Sequence, residues 1–219
     1  MNDDSQNKAA ITLSQPTFYQ LNAGSWCAVA TLPDITETLE EVSLIEKKKR
    51  HRDQQRLGTR QLLKALLNSL HIKDELVETS FPYRLKKSGA FVCFSHSGNQ
   101  VAVAISHHQP IGLDVEAQNI SWQVAKRYYH PNEIAKLSKL DDYFKQAISR
   151  LLWQIKESLI KIEQFTLAQG LGQDYSALIL PIQNALLKKQ TTFKLPINLP
   201  KNKSYEVRII LKHHLAVIF

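Results

Sequence analysis

The run Ile111-Gly112-Leu113-Asp114-Val115-Glu116 alternates strictly between apolar and other residues. Period two reads as a strand, because successive side chains of an extended chain point to opposite faces. Ile111, Leu113 and Val115 then enter a core, while Asp114 and Glu116 stand together on the other face. Two carboxylates that close raise each other's pKa unless something positive lies between them, and a hard divalent cation with oxygen ligands is the usual candidate. Gly112, on the carboxylate face, reads as room for a bulky ligand. Taken alone, the same pattern also describes a solvated strand face.

A second block follows about forty residues on, Trp153-Gln154-Ile155-Lys156-Glu157-Ser158-Leu159-Ile160-Lys161. Leu152, Ile155, Leu159 and Ile162 recur at helical spacing, and Trp153, Glu157 and Lys161, four apart, share another face. By itself the Glu157–Lys161 spacing is an ordinary surface pair worth roughly a few tenths of a kcal/mol. Upstream lies Phe94-Ser95-His96-Ser97-Gly98. The turn-forming residues 95–100, between β-rich runs at 91–94 and 101–105, predict an antiparallel hairpin with His96 at its turn.

In this order and at these distances, the three blocks resemble the Sfp-type 4′-phosphopantetheinyl transferases over roughly residues 43–175. The resemblance implies an α+β fold of two similar modules in pseudo-twofold arrangement, residues 1–108 and 109–219, with the active site at their interface. It implies an enzyme that transfers the 4′-phosphopantetheine group from coenzyme A to a serine of an apo acyl or peptidyl carrier protein, giving holo carrier and 3′,5′-ADP. Asp114, Glu116 and Glu157 would hold Mg²⁺, with Glu157 also the base for the serine hydroxyl. Lys161 would hold a diphosphate oxygen or protonate the leaving group, and Lys156 would be structural or carrier-facing. Ser95 and His96 would bond coenzyme A phosphates, and Arg56 and Lys47 would reach the 3′-phosphate. Phe81 and Pro82 fall where the family has Gly-Lys-Pro along the adenine, so Phe81 offers stacking where a lysine would bring charge. After Lys161, the family's Gly-x-Gly-Leu loop is replaced by a longer stretch, 163–171, in which the first glycine is lost and Gly170-Leu171 remain.

Composition narrows the alternatives. With 219 residues and 43% hydrophobic content the chain is globular, and its net charge of +8 points to an anionic partner. The densest positive run, Lys47-Lys48-Lys49-Arg50-His51-Arg52, reads as a solvated helix face or as a phosphate site. A basic nucleic-acid-binding protein is a second reading, though no recognisable nucleic-acid motif accompanies the run. A carrier-binding relative without activity is a third. Cys27 and Cys93 lie in apolar strand-like runs, as buried thiols of a reducing compartment do. The polar start Met1-Asn2-Asp3-Asp4-Ser5 does not resemble a signal peptide, and no apolar run nears the ~18 residues of a membrane span. A cytoplasmic protein, away from membranes and nucleic acid, is therefore expected, and the two modules that the resemblance implies within one chain make a monomer the simpler expectation. In chain order the patterns predict a strand at 26–30 and helices at 36–70, 122–139 and 141–162. Strands follow at 177–180 and 191–195, then a closing hairpin in which Val207, Ile209, Leu211 and Leu215, Val217, Phe219 alternate.

Overall fold

The computed structural model describes residues 12–33, 43–199 and 203–219. Its strands form two antiparallel sheets. The first contains β1 (Thr17–Asn22), β2 (Ser25–Thr31), β3 (Leu76–Val77), β4 (Tyr83–Leu85), β5 (Phe91–Ser97) and β6 (Gln100–Ser106), in the order β1-β2-β6-β5-β4-β3. The second contains β7 (Gly112–Val115), β8 (Thr192–Leu199), β9 (Lys203–Ile210) and β10 (Leu215–Ile218), in the order β7-β10-β9-β8. The helices are α1 (Leu44–Ser69), α2 (Trp122–Tyr128), α3 (Pro131–Leu137), α4 (Asp142–Glu163), α5 (Leu167–Leu171) and α6 (Ile179–Leu187). The fold is α+β, as the sequence implies.

Three apolar cores stack these elements into four layers, helix on sheet on sheet on helix. Leu62, Leu63, Leu66 and Leu67 of α1 meet Val101, Val103 and Ile105 of β6 in one core. Ala102 and Ala104 of β6, with Cys27, Val29 and Cys93, meet Leu113, Val115, Leu215 and Val217 in the second, between the sheets. Ala216, Ile218, Val207 and Ile209 meet Ile155, Leu159 and Ile162 of α4 in the third. Strands buried on both faces read as continuous apolar runs, and the division of size within β6 assigns its faces. The larger residues point to the helix and the alanines to the other sheet.

Cys27 and Cys93 are free and buried, and both are paired with Ala104 from opposite sides. Two strand spacings put their Cα atoms roughly 10 Å apart, beyond the ~7 Å reach of a disulfide. Burial pushes the Cys27 thiol up to about 12, so it stays protonated and inert.

Helix α1 starts later than its periodicity predicts. Ser43 caps it, accepting from Glu46 N at 3.3 Å. Residues 36–42 of the predicted helix lie outside the described residues. The predicted helix at 122–139 is two helices. Pro131 opens α3, where its missing N–H costs nothing, and disfavours helical backbone at His130 before it. The strand predicted at 177–180 is helical instead, a short 3₁₀ turn (Ser176–Leu178) running into α6, because Ile179, Ile182 and Ala185 are buried at helical spacing. In the β5–β6 hairpin only Gly98 and Asn99 form the turn. His96 is therefore a strand residue, paired with Val101, and Gly98 takes the positive φ of +54° that the tight turn requires.

Gly112 also has a different use from the one its position suggests. A Cβ there would lie 2.1 Å from the backbone oxygen of Ser158, so the missing side chain lets α4 lie directly on the carboxylate face of β7. We expect Gly112→Ala to cost about 1–3 kcal/mol or more by forcing helix and strand apart. The urea unfolding midpoint measures this, and an unchanged midpoint would show that the close approach is not needed.

Candidate active site

The close approach of α4 to β7 brings two distant parts of the sequence together. A cavity of about 730 Å³ opens beside their contact, and α1 and the first sheet also line it. Arg52, Arg56 and Arg60 line it from α1, Tyr83 from β4, and Phe94, Ser95 and His96 from β5. Asp114 and Glu116 enter from β7 and the residue after it, and Trp153, Glu157 and Lys161 from α4. The four-residue spacing on α4 thus delivers its aromatic, acidic and basic groups to one place.

Asp114 is 5% exposed. Its Oδ1 accepts from Lys161 Nζ at 3.0 Å and from Ser95 Oγ at 2.9 Å. Lys161 Nζ also donates to Leu113 O at 2.7 Å, so this side chain fastens α4 to β7. Burial pushes the Asp114 carboxyl above its ordinary value, and the charge of Lys161 works against that rise. For Lys161, burial favours the neutral amine, but the neighbouring charges, Asp114 foremost, outweigh it and the pKa is raised. Glu157 is also raised, first by burial and then by repulsion from Asp114, with Lys161 opposing. A carboxylate in that state is a better proton acceptor than one in water. Glu116 is half-buried and accepts from Ser97 Oγ at 2.8 Å. The imidazole of His96 is held below its usual value by desolvation and then by the positive charge of Lys161 and His51, and a neutral ring can still donate one hydrogen bond.

Of the residues expected from the sequence, the cavity gathers Arg56, Ser95, His96, Asp114, Glu116, Glu157 and Lys161. Lys47, Phe81 and Pro82 do not line it. Lys47 lies more than two turns before Arg56 on α1. Phe81 packs edge-on against Tyr83, ring centroids 5.6 Å apart, and so stands one ring back from the wall.

Sequence reasoning did not pick out Arg60 or Tyr83. Arg60 lies over the Phe94 ring at 4.1 Å and is ion-paired with Glu78. Its four-residue spacing from Arg56 was the available signal. The carbonyl of Arg56 accepts from Thr59 Oγ1 at 2.8 Å, and its side chain lines the cavity.

Lys156 has a purely structural place. It is fully buried, its Nζ 2.9 Å from Glu133 Oε2 and 2.6 Å from both Leu171 O and Gln173 O. A carrier-facing role is thereby excluded. Glu133 also accepts from the backbone of His130 and Tyr175, so the pair ties α3, α4 and the segment after α5 together. In the stretch after Lys161, Gly170 sits against Ile160, where a Cβ would come within 2.0 Å of that side chain. The retained glycine lets α5 pack on α4.

Residues 110–209 match the family described as the 4′-phosphopantetheinyl transferase superfamily. The match covers a little under half of the chain. The chain is 33% identical over 125 residues to 4′-phosphopantetheinyl transferase Sfp of Bacillus subtilis (strain 168), covering 52% of this chain and 48% of that protein. It is 34% identical over 119 residues to 4′-phosphopantetheinyl transferase gsp of Aneurinibacillus migulanus, covering 48% and 46%. Against 4′-phosphopantetheinyl transferase ffp of Bacillus subtilis the identity is 29% over 153 residues, covering 64% and 61%. The matched region thus spans about half the length of the first two relatives. The superfamily match contains β7, α4 and the three carboxylates, while α1 and its arginines lie outside it.

Removing Lys156 leaves Glu133 buried without its cation, a change that costs about 3–5 kcal/mol in comparable pairs. We expect that loss for Lys156→Met in chemical denaturation, and partial recovery in the Lys156→Met/Glu133→Gln double variant. A single variant as stable as the parent would contradict the structural role.

Proposed function

We propose that the chain transfers the 4′-phosphopantetheine group of coenzyme A to a serine hydroxyl of an apo carrier protein. The observation that carries this reading is the convergence of Asp114, Glu116 and Glu157 with Lys161 and three arginines on one cavity. Acidic groups at its floor suit a cation, and basic groups at its α1 wall suit phosphates. The relatives named as 4′-phosphopantetheinyl transferases support the same reading.

All three candidate ligands are carboxylates, the kind of oxygen donor that Mg²⁺ prefers, and the pKa of Glu157 is raised by burial first and then by repulsion from Asp114. Among the described residues, no three His, Cys, Asp or Glu side chains stand close enough to hold an ion as they are. The three carboxylates would therefore hold it jointly with the diphosphate. Mg²⁺ supplies charge neutralisation at the phosphorus and at the departing phosphate.

The remaining chemistry belongs to the chain. Glu157 takes the serine proton as the serine Oγ–P bond forms and the P–O bond to 3′,5′-ADP breaks. Lys161 donates to an oxygen of the diphosphate, and His96 donates to a second. Arg56 takes the 3′-phosphate, a role we withhold from Lys47 because that residue stands away from the cavity. Phe81 and Pro82 reach the adenine only through Tyr83. The net charge of +8 suits both an acidic carrier and coenzyme A by raising encounter rates. The two sheets, each covered by its own long helix and divided between residues 106 and 112, support a reading as two modules, 1–108 and 109–219, with the site between them. We further place the protein in the cytoplasm as a monomer. The two free thiols fit a reducing compartment, and none of the described helices is long and apolar enough to cross a membrane.

Mass spectrometry of an apo carrier protein incubated with the chain, coenzyme A and Mg²⁺ tests the reading. A gain of about 340 Da on one serine is expected from covalent attachment of the arm, and no gain on any of a panel of carriers would refute it. Glu157→Gln should abolish the gain while circular dichroism stays unchanged, and Asp114→Ala should abolish it with a loss of stability, because it leaves Lys161 without its buried partner; normal turnover in either would dissolve the site assignment. Arg56→Ala should weaken coenzyme A binding about tenfold or more and leave 3′-dephospho-coenzyme A unaffected, as loss of one charge-assisted contact would. An equal loss on both donors would move the 3′-phosphate elsewhere.

A further inference from the structure

Strand β7 is an edge of the second sheet. It pairs with β10 on one side only, and the ladder continues past its end as Glu116 N donates to His214 O at 3.1 Å. On an antiparallel strand, alternate N–H groups point to alternate sides. Those of Val115 and Ala117 therefore point to the open edge, where no strand of the same sheet receives them. Two serines of β5, in the other sheet, do so. Val115 N donates to Ser95 Oγ at 3.2 Å, and Ala117 N donates to Ser97 Oγ at 3.2 Å.

Each hydroxyl then directs its own proton to a carboxylate. Ser95 Oγ donates to Asp114 Oδ1 at 2.9 Å and Ser97 Oγ to Glu116 Oε1 at 2.8 Å. The two units repeat the same geometry two residues apart on both strands. A hydroxyl has one proton, so Ser95 directs to Asp114 the proton that the family resemblance would give to a phosphate.

We propose that Ser95 and Ser97 are positioning residues, a two-rung hydroxyl ladder that fixes the orientation of Asp114 and Glu116 toward the cavity. The inference rests on the reading above, in which those carboxylates hold a divalent cation. Outer hydrogen bonds of this kind orient ligating carboxylates, and their loss costs about 10–100-fold in metal affinity. Ser97 is the sharper probe. It does not line the cavity and touches Glu116 alone among the acids, whereas Ser95 also lies 3.4 Å from Lys161 Nζ.

The test is Mn²⁺ binding, read by electron paramagnetic resonance on the full chain with coenzyme A present and no carrier. Ser97→Ala should weaken Mn²⁺ by about tenfold and leave metal-free coenzyme A binding unchanged, and Ser97→Thr, which keeps the hydroxyl, should restore it. Ser97→Cys, close in shape but a poor donor, should lose affinity as the alanine does, and with threonine it decides the matter if the alanine variant fails to fold. Parent-like Mn²⁺ affinity in folded Ser97→Ala or Ser97→Cys would overturn the proposal. Glu116→Gln separates this failure from that of the underlying reading. If it weakens Mn²⁺ while the serine variants do not, only the ladder falls; if it too leaves Mn²⁺ unchanged, the carboxylates do not hold the metal.

Discussion

A carboxylate buried as deeply as Asp114 must be matched by positive charge or hydrogen bonds, since desolvation of an unpaired ion costs far more than a fold of this size can bear. Lys161 meets that demand from α4 and Ser95 from β5. Both partners come from elements far from Asp114 in sequence, so the ion pair forms only when the second sheet, its helix and the first sheet are all in place. The chemistry of the site and the assembly of the fold therefore rest on the same few atoms. The pair also keeps a lysine charged inside the protein, beside the position where a diphosphate would need a donor.

The four-layer arrangement explains why the site lies where it does. Alanines and cysteines between the sheets allow them to approach closely, and the leucines of α1 and the aliphatic residues of α4 cover the outer faces. Beyond the packed portion of α1, its N-terminal half carries arginines that reach past the sheet toward the carboxylates. His51 and Gln55 hold this half of the helix to the carbonyl of Gly98 at the β5–β6 turn, at 3.1 and 2.8 Å. One helix thus contributes core leucines to one side of the sheet and arginines to the cavity. Lys156 and Glu133, buried at the back of α4, secure the opposite side of the helix that presents Glu157.

Much of this was legible in the sequence because it depended on periodicity. The alternation around Asp114 and the four-residue spacing from Trp153 to Lys161 each specify one face of one element, and the structure turns both faces to the same cavity. What stayed hidden depended on tertiary contact. Gly112 looked like space for a ligand because its neighbour, the Ser158 carbonyl, is forty-six positions away. The helical character of 177–180 was obscured because four residues cannot distinguish a buried strand from the start of a buried helix. His96 was assigned to a turn because serine and glycine dominate its neighbourhood, yet pairing with β6 extends the strand through Ser97. Arg60 went unnoticed because its partners, Glu78 and Phe94, meet it only in the folded chain.

The proposed transfer requires carboxylates from β7 and α4 to act on one ion beside a bound diphosphate. Anomalous diffraction from crystals grown with Mn²⁺ and coenzyme A examines it directly. A single manganese peak in contact with Asp114, Glu116 and Glu157 and with oxygens of the diphosphate is expected. A peak elsewhere, or a Glu157 side chain turned away from an ion held by the other two, would contradict it.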